Sequence, residues 1–405
     1  MQTIIAFDVS MGKSYMVIYQ NGQCVEEKEI QHNKKDFQAL HVTIQSLFMR
    51  YGQYPEIVFE ATGVYSKVLE SFMQANQYPY YLLNPLEAKQ QCDRLRVHKT
   101  DRSDAHRLAQ THLTSNRKPK VFESTEYQQL RVLSRFYEEI DKEIILIKNR
   151  LHNALQLTFP ELASIFPNQN SALYLNVLLL FPHPELVLSC SRTVLKNKLL
   201  ANTKKNLSSE RALKKAEELV RIASSSYPAV TLEDVTVSKV RYYAEKISHL
   251  LCKKQEIIEE MEALALPLPE YDILRQIPGI GSSSAVRFIA EAGDVRRFTT
   301  SRELNAYAGI DIRRYQSGKT FYSDHINKRG NPKLRKLLYL MIQNMLKKQQ
   351  NTPNHIVHYY YKQKEEPYNK CHKVASVACI NKLLKTIHYL TKTNQMYDYS
   401  LATTS

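Results

Sequence analysis

The alternation of apolar and polar residues in the first part of the chain predicts short strands followed by helices. Residues 3–31 contain three strand-like segments, TIIAFDV, SYMVIYQ and QCVEEKEIQ, with the turn-forming Met11-Gly12-Lys13 and Asn21-Gly22 between them. The pattern then predicts a helix at about 36–51, a strand at 56–60, a helix at about 63–75, a strand at 78–83 and helices from about 85 onward. Three antiparallel strands that lead into β-α-β-α follow the order of the ribonuclease-H-like fold.

Two longer apolar stripes repeat at alternating spacings of three and four residues, which is the heptad pattern of coiled-coil helices. The first stripe runs from Leu130 to Ala154, and the second runs from Val240 to Leu264 and is broken only by Lys254. We expect the two helices to form one arm, paired antiparallel within the chain or with another subunit. Residues 160–235 mix proline-bounded helical pieces with a polar stretch, so we interpret them as a helical insertion in the arm.

A third, helical domain is expected after Pro267-Leu268-Pro269, because proline cannot continue a helix and restricts the residue before it. Asn331-Pro332 predicts a helix start with a side-chain cap. Its buried stripe would be Leu334, Leu337, Leu338, Met341 and Met345. The fold class expected is α/β plus all-α, with an α/β domain at 1–120, a coiled-coil arm with its insertion at 121–266, a helical domain at 267–395 and a tail at 396–405.

The charge of the chain favours a polyanionic partner. Its 405 residues include 56 Lys and Arg against 40 Asp and Glu, an excess of 16 positive charges, and nucleic acid is the first candidate. The charge is also uneven, with six Lys or Arg against eight Asp or Glu in residues 1–80, and eleven against three in residues 296–336. The first region suits cations, and the second suits phosphates.

Other classes of protein are not favoured by the composition. The six cysteines form no C-x-x-C pair, which argues against a zinc site or a disulfide framework and fits a reducing cytoplasm. The start lacks a basic segment followed by a long apolar one, and the longest apolar run, Leu173 to Phe181, is about half of a membrane span. We expect a soluble cytoplasmic protein without a membrane partner.

Four acidic residues stand where the predicted N-terminal fold could bring them together. Asp8 ends the first strand, Glu60 ends the fourth, and Asp101 and Asp104 lie three residues apart in HKTDRSDAHRLA, on one face of a helix. Each alone would be taken for a solvated acid. Such a cluster would repel itself without a metal ion, and carboxylate oxygens are the ligands that Mg²⁺ prefers. Because Mg²⁺ pairs activate a nucleophile and stabilise the leaving oxygen in phosphoryl transfer, we expect a Mg²⁺ site here.

The C-terminal third carries features suited to phosphate. Ile277-Pro278-Gly279-Ile280-Gly281 predicts a tight turn that opens a helix, as in a helix-hairpin-helix element, whose exposed backbone N–H groups bind phosphate. An ordinary turn between helices is the alternative. Downstream, the cations are denser than on an ordinary solvated face: Arg296, Arg297, Arg313, Arg314, Lys319, Lys328, Arg329, Lys333, Arg335 and Lys336.

These strings resemble a known family at both ends of the chain. FDVS, FEATGVY and KTDRSDAHRLA look like the DEDD domain of insertion-sequence transposases related to the Piv DNA invertase, often called the one-ten family. The C-terminal part is similar through IPGIGSSSAVRFIAEAGDVRRF (277–298), LNAYAGI (304–310), QSGKT (316–320) and INKRGNPKLRKLLY (326–339). The arm and its insertion are similar only in being helical.

The resemblance implies a RuvC-like domain with a catalytic Mg²⁺ site at Asp8, Glu60, Asp101 and Asp104. It also implies that Ser317 of QSGKT is the nucleophile that joins covalently to DNA, with Ser323 and then Ser282 to Ser284 as competitors. Further implications are a guide RNA encoded by the element, a homo-oligomer (dimer or tetramer), and a bacterial, nucleoid-associated location. The nucleic acid is then expected to contact a set of turn and basic residues, namely Gly279, Gly281, Arg313, Arg314, Lys319, Lys328 and Arg329.

Two other functions stay open on the sequence. A junction-resolving nuclease could use the same four carboxylates to direct water at phosphate, and it would leave free DNA ends where a recombinase leaves a protein-bound end. A non-enzymatic DNA- or RNA-binding architectural protein would show no Mg²⁺-dependent cleavage. We interpret His98 and His106, which flank the Asp pair, as surface polar residues, and Tyr359-Tyr360-Tyr361 either stack on bases or serve packing.

Overall fold

The computed structural model describes residues 2–83, 100–115, 117, 119–120, 124–202, 207–313, 316–317, 320–321, 325–350 and 352–403, with the backbone alone at residues 313, 316–317, 320–321 and 403. The chain forms two compact units, Met1–Phe122 (unit 1) and Glu123–Ser405 (unit 2). The four segments expected from the sequence stay predictions.

Unit 1 is an α/β domain built on one five-stranded sheet. Its elements are β1 (Thr3–Ser10), β2 (Lys13–Gln20), β3 (Gln23–Gln31), α1 (Lys34–Tyr51), β4 (Glu56–Glu60), α2 (Ser66–Ala75), β5 (Tyr80–Leu83) and α3 (Asp101–Leu113). The strand order is β3-β2-β1-β4-β5, in which the first three strands are antiparallel and β4 and β5 lie parallel to β1. This is the order of the ribonuclease-H-like fold, so the predicted meander and the strands after it are confirmed.

The sheet of unit 1 is covered on both faces, which explains why its central strands are almost continuously apolar. Ile5 and Phe7 of β1 belong to one buried cluster, together with residues of α1 and α2. Ile4 and Ala6 belong to a second cluster that includes Ala105, Leu108 and Ala109 of α3. Successive side chains of a strand point to opposite faces, so α3 covers the face to which even-numbered residues of β1 point.

Unit 2 is mostly helical. Its helices are α4 (Thr125–Thr158), α5 (Ala172–Leu180), α6 (Pro184–Leu188), α7 (Arg192–Ala201), α8 (Ser209–Ser225), α9 (Val235–Ala265), α10 (Pro269–Gln276), α11 (Ser282–Ala292), α12 (Ser301–Ala308), α13 (Pro332–Lys348), α14 (His355–Lys364), α15 (His372–Thr393) and α16 (Tyr399–Thr403), with 3-10 turns at Pro160–Ile165 and Val295–Arg297. Within the described residues, no helix is both long and apolar enough to pass through a bilayer.

The two predicted stripes form α4 and α9, which run antiparallel. Tyr127, in the first turn of α4, bonds to Glu270, which follows α9. At the other end, the Ala229 amide, which precedes α9, donates to the Leu157 carbonyl at 2.9 Å. The antiparallel pairing within the chain agrees with the sequence, whereas coiled-coil packing in detail stays a prediction.

Lys254, which breaks the second stripe, is accommodated by two partners on the opposite helix. Its ammonium group pairs with Asp141 of α4 and lies 4.6 Å from the centre of the Tyr137 ring. A lysine is therefore tolerated in the seam because its charge is paired and its stem covers an aromatic ring. Among the other stripe residues, Ile144, Ile147 and Ile257 are almost fully buried.

The C-terminal part of unit 2 is mostly helical as expected, but it also contains strands that the sequence did not predict. They are four two-residue strands, β6 (Ile312–Arg313), β7 (Gln316–Ser317), β8 (Thr320–Phe321) and β9 (His325–Ile326). The predicted start of α13 is confirmed, since the Asn331 side chain accepts from the amides of Lys333 and Leu334. The predicted buried stripe of that helix is buried as well.

Candidate active site

Two of the four predicted carboxylates lie on neighbouring parallel strands of unit 1. The register pairs Phe7 of β1 with Phe59 of β4, so Asp8 and Glu60 follow at the same level at the carboxyl ends of the two strands. Asp8 points to the same face as Ala6, and Glu60 to the same face as Val58, which is the face covered by α3. Both side chains are half-buried.

The helix α3 carries the other two carboxylates, and contacts at its ends fix its direction along the sheet. At its C-terminal end, His112 Nε2 lies 2.7 Å from an oxygen of Glu56, the first residue of β4. At its N-terminal end, the pKa of Lys13 in β2 is raised mainly by its hydrogen bond with Glu29 and also by the charge of Asp101. The helix therefore runs antiparallel to β4 and begins at the end of the sheet where Asp8 and Glu60 stand.

The start of α3 is fixed locally by its sequence. Thr100 forms a capping box with Ser103, each side chain accepting from the other residue's backbone amide. Asp101 and Asp104 therefore occupy the first turn, on the same stripe as the buried Ala105 and Leu108. Asp104 accepts a hydrogen bond from Arg107 at 3.3 Å, one turn along the helix.

A polar cluster beside this site holds α3 against β2 and β3. Arg102 Nε donates to Glu27 Oε2 at 3.0 Å, and His106 Nε2 lies 2.8 Å from the same oxygen. These contacts hold the pKa of Glu27 below its ordinary value, with the hydrogen bond from His106 as the largest cause. Since His106 Nδ1 also lies 2.8 Å from Tyr19 Oη, His106 is a packing contact rather than the surface residue expected. His98 lies outside the described residues.

The four carboxylates share an end of the sheet but are not drawn into one tight cluster. Among the described residues, one group of potential metal ligands has its ligand atoms within 4.8 Å of one another. It consists of Cys24, Glu27 and His106, and it contains none of the four carboxylates. The predicted ligand set consists of oxygens alone, which suits Mg²⁺ or Mn²⁺ better than a soft metal. Carboxylates of like charge repel when no cation lies between them, so their separation is compatible with a metal site.

Ser317 lies in unit 2, in a segment whose two ends are held close together. The Asn331 amide donates to the Tyr307 carbonyl at 2.7 Å, and the Lys328 amide donates to the Gly309 carbonyl at 3.0 Å. A Cβ atom at Gly330 would lie 2.2 Å from the Tyr307 oxygen, so glycine is required there. The signal for this close approach is the glycine in NKRGNP, which the sequence analysis did not use.

The segment itself is a pair of antiparallel ladders. β6 pairs with β9, and beyond them β7 pairs with β8, with Ser317 opposite Thr320. Ser317 thus stands next to the point at which the chain reverses. Its side chain, like that of Arg313, is outside the described part of the structure, and so are Arg314, Lys319 and Ser323 altogether.

We call the segment from β6 to β9 the Ser317 hairpin, and its base is the place where Tyr307 and Gly309 meet Lys328 and Asn331. This base is anchored on a buried carboxylate that the sequence did not reveal. Glu291 of α11, which is 2% exposed, accepts from Asn331 Nδ2 at 2.8 Å and pairs with Arg135 at 3.4 Å. Its backbone oxygen accepts from Tyr307 Oη at 3.0 Å. A glutamate within the apolar string AVRFIAEA was the available signal, because a buried acid needs partners.

Several of the cations that the sequence grouped as a phosphate-binding surface are used inside unit 2. Arg296 pairs with Glu270 at 2.9 Å, and Arg297 donates to the Ala292 carbonyl at 2.9 Å. Lys333 and Arg335 likewise have internal partners, Glu138 and the Ala308 carbonyl. These four cations therefore have partners within the protein, as their density beyond that of an ordinary solvated face allowed, while Lys328, Arg329 and Lys336 are exposed.

The predicted phosphate turn has two glycines with different surroundings. Gly279 has φ +94°, and a Cβ atom there would lie 2.7 Å from Cα of Met345 in α13. Gly281 caps α11 with an ordinary φ of −86° and has open space where a Cβ would stand. Gly279 therefore serves packing, whereas a Cβ atom at Gly281 would meet no neighbour within 4 Å.

Two family models match the chain, one over unit 1 and the first long helix of unit 2, and the other within the C-terminal part of unit 2. The model of the DEDD transposases of IS110 type matches residues 5–160. The model of the transposase IS116/IS110/IS902 family matches residues 271–357. The first covers the sheet and the helix with the four carboxylates, and the second covers the predicted phosphate turn and the Ser317 hairpin.

Three relatives are similar over different stretches. A transposase for the insertion sequence element IS1111A of Coxiella burnetii is 38% identical over 80 residues, 20% of this chain and 22% of the relative. An uncharacterized protein of insertion element IS110 from Streptomyces coelicolor is 22% identical over 60% of this chain and 59% of its own length. The mini-circle protein of IS117 from the same organism is 24% identical over 82% of this chain and 80% of its length. The chain thus spans about a fifth and about three fifths of the first two relatives.

The α/β fold of unit 1 and the two matched models make the chain similar to the DEDD transposases of insertion sequences. Within that class, the similarity is to the IS110 family in both matched regions. This confirms the family resemblance seen in the sequence, and a DEDD domain implies dependence on a divalent metal ion.

Proposed function

We propose that this chain cuts and rejoins DNA as the recombinase of an insertion sequence, through a Mg²⁺ site in unit 1 and a serine nucleophile in unit 2. The observation that carries the proposal is the placement of Asp8, Glu60, Asp101 and Asp104 at one end and on one face of the unit 1 sheet. Similarity to this family supports the reaction class, because the matched relatives belong to insertion sequences.

Within the metal site, each residue has a separate task. Asp8 and Glu60 are presented by two parallel strands, which are rigid, and Asp101 and Asp104 by the capped first turn of α3. Arg107 restrains one oxygen of Asp104 and leaves the other for a ligand. When bound, Mg²⁺ would neutralise the charge that develops on the phosphate oxygens.

We assign the nucleophile to Ser317. Its Oγ forms a bond to phosphorus and loses its proton, while the bond from phosphorus to the bridging oxygen of the adjoining nucleotide breaks and that oxygen takes up a proton. In rejoining, a hydroxyl of the incoming strand attacks the phosphoserine and Ser317 is restored, so no external energy source is needed. The hairpin anchored on Glu291 and Asn331 would hold the serine in place for both steps.

The nucleic acid is expected on the surface around this hairpin. Arg313, Arg314 and Lys319 flank Ser317 in sequence, and Lys328 and Arg329 are exposed near its base. Gly281 has open space beside it, whereas Gly279 is better explained by packing. DNA, a guide RNA encoded by the element and further copies of the chain are the proposed partners, and the excess of 16 positive charges supports the first two.

Denaturing electrophoresis tests this function. Labelled DNA from the element's end is incubated with the full chain, Mg²⁺ and the RNA transcribed beside the gene. We expect a protein–DNA adduct that survives denaturation, requires the metal ion and is lost in Ser317→Ala. Free, nicked ends without an adduct would instead support a hydrolytic nuclease, and binding without cleavage would support an architectural protein.

A further inference from the structure

A cavity of about 670 Å³ lies among α14, α15 and α16 in unit 2. It lies almost wholly past residue 357, where the second family model ends, and it takes no part in the proposed chemistry. Its lining is mixed apolar and polar and includes the rings of Tyr359 and Tyr389 and the ammonium groups of Lys382 and Lys385.

The inner wall of the cavity is fixed and uncharged. His355 Nδ1 lies 2.8 Å from Tyr397 Oη, and its Nε2 lies 3.2 Å from Thr386 Oγ1, so both ring nitrogens are engaged. Burial, and secondarily the charge of Lys382, lowers the pKa of His355 to about 4. At neutral pH the wall is therefore an uncharged imidazole stacked on the Tyr397 ring.

The mouth of the cavity is aromatic and cationic. The Tyr389 side chain is 58% exposed, so its ring is accessible from solvent. Lys385, one turn earlier on α15, is exposed, and the Lys382 ammonium group lies 5.2 Å from the centre of the Tyr359 ring. Asp398 is the one carboxylate in the described lining, and its Oδ1 already accepts from the amide and hydroxyl of Ser400.

We propose that this cavity binds an unpaired nucleotide of a single-stranded nucleic acid, with the base against Tyr389 and the adjoining phosphate at Lys385 and Lys382. An aromatic face beside an ammonium group matches the two halves of a nucleotide, because bases stack on rings and phosphates pair with lysine. A base inside a duplex is already stacked on its neighbours, so a duplex offers nothing to the cavity. The inference rests on the proposed function only for its nucleic-acid partner, and it depends on neither Ser317 nor the metal site.

Binding without a divalent metal ion tests the inference apart from the chemistry. Fluorescence anisotropy of the full chain would use labelled uridine and thymidine strands of about 16 nucleotides, a duplex of equal length, and free uridine monophosphate as competitor. Tyr389→Ala should weaken strand binding by about fivefold or more, while Tyr389→Phe should bind as wild type. Lys385→Ala should lower the dependence of binding on salt by about one phosphate contact.

Matched controls lie in the same helices but outside the cavity. Tyr361→Ala removes a ring of α14 that is 43% exposed, and Lys392→Ala removes an exposed ammonium group of α15; both should bind strands as wild type. A strand carrying 5-iodouridine should crosslink on irradiation to Tyr389 or Tyr359, as located by mass spectrometry.

Three results would overturn the inference. In the first, Tyr389→Ala binds the strand as tightly as wild type does. In the second, free uridine monophosphate competes as strongly as the strand does. In the third, the chain prefers the duplex, and Tyr389→Ala and Lys385→Ala leave that preference unchanged. The binding assay contains no metal ion, so its result does not depend on the chemistry. A chain that binds strands through Tyr389 in this assay but forms no adduct in the assay with Mg²⁺ would contradict the proposed function and leave this inference standing.

Discussion

At the scale of single residues, the proposed metal site depends on four carboxylates that stand at the same end of the unit 1 sheet. Asp8 and Glu60 stand at the ends of adjacent parallel strands, and α3 brings Asp101 and Asp104 to the same end of the sheet. Like charges at such a place destabilise the fold, and a bound cation reverses the effect.

We expect Mg²⁺ to stabilise the wild-type chain but not Asp8→Asn. A ligand present at about 100 times its dissociation constant adds about 2.7 kcal/mol to the free energy of unfolding, and a neutral amide is a poor replacement for a carboxylate ligand. Thermal melts with and without Mg²⁺ measure the difference. Glu26→Gln, an exposed acid on β3, is the control and should keep the full shift. An equal shift in Asp8→Asn would show that Asp8 binds no metal ion.

We expect substitutions of the two glycines in the predicted phosphate turn to have opposite effects on the free energy of unfolding, because one glycine is tightly packed and the other has open space beside it. Gly279→Ala must hold a positive φ and push against the Met345 backbone, so we expect a loss of about 2 kcal/mol or more in the free energy of unfolding. Gly281→Ser adds a capping hydroxyl in open space and should gain a few tenths, roughly 0.3 kcal/mol. Urea denaturation of both variants measures this, and equal stabilities would contradict the packing role of Gly279.

Residue types and spacing were sufficient to predict where the four acids stand in the fold of unit 1 and that Asn331 caps α13. They were not sufficient for Glu291 or for the internal pairing of Arg296, because a charge in a sequence does not show whether it meets solvent or a buried partner. Lys254 illustrates the same limit, since its position marked a break in the stripe while the compensating Asp141 lies on a distant part of the chain.

At the scale of elements, buried and exposed residues of α4 allow folding and assembly to be tested separately. Ile144 of α4 is 4% exposed and packs within the chain, whereas its neighbours Ile145 and Leu146 are 55% and 50% exposed. A charge at Ile144 therefore reports on the fold of unit 2 and says nothing about contacts between subunits. Exposed positions of the same helix are the suitable probes of assembly.

We expect Ile144→Glu to lose about 3 kcal/mol or more of folding free energy, because it buries an unpaired carboxylate. Leu146→Glu should leave the fold within about 0.5 kcal/mol of wild type and should reduce the mass of the assembled protein if this face of α4 joins subunits. Chemical denaturation and sedimentation measure the two effects. An Ile144→Glu chain with wild-type stability would mean that α4 and α9 do not share a core.

Elements with a long period were predictable and short ones were not. The heptad stripes predicted α4 and α9, and the strand-like segments separated by the turns at Gly12 and Gly22 predicted the meander. The Ser317 hairpin escaped because strands of two residues carry no periodicity and are defined by their base, where Gly309 and Gly330 meet. The helix α3 was expected, but its direction against β4 required the hydrogen bond between His112 and Glu56 and the electrostatic effect of Asp101 on the pKa of Lys13.

At the scale of the whole molecule, the account divides one reaction between two units. Unit 1 supplies a set of oxygen ligands but no assigned nucleophile, and unit 2 supplies Ser317 and the basic segment 296–336 but no assigned metal site. One family model covers unit 1 and α4 of unit 2 (residues 5–160), and the other covers the region of Ser317 (residues 271–357). Neither unit is expected to cut DNA by itself.

Mass spectrometry of the covalent adduct tests this central claim most directly. The chain is incubated with labelled element-end DNA, Mg²⁺ and the adjacent RNA, the adduct is digested with protease and nuclease, and the peptide that carries a nucleotide is sequenced. The account predicts the nucleotide on Ser317, with no such peptide from Asp104→Asn. A nucleotide on Ser323 or any other residue, or cleaved DNA without any nucleotide-bearing peptide, would contradict it.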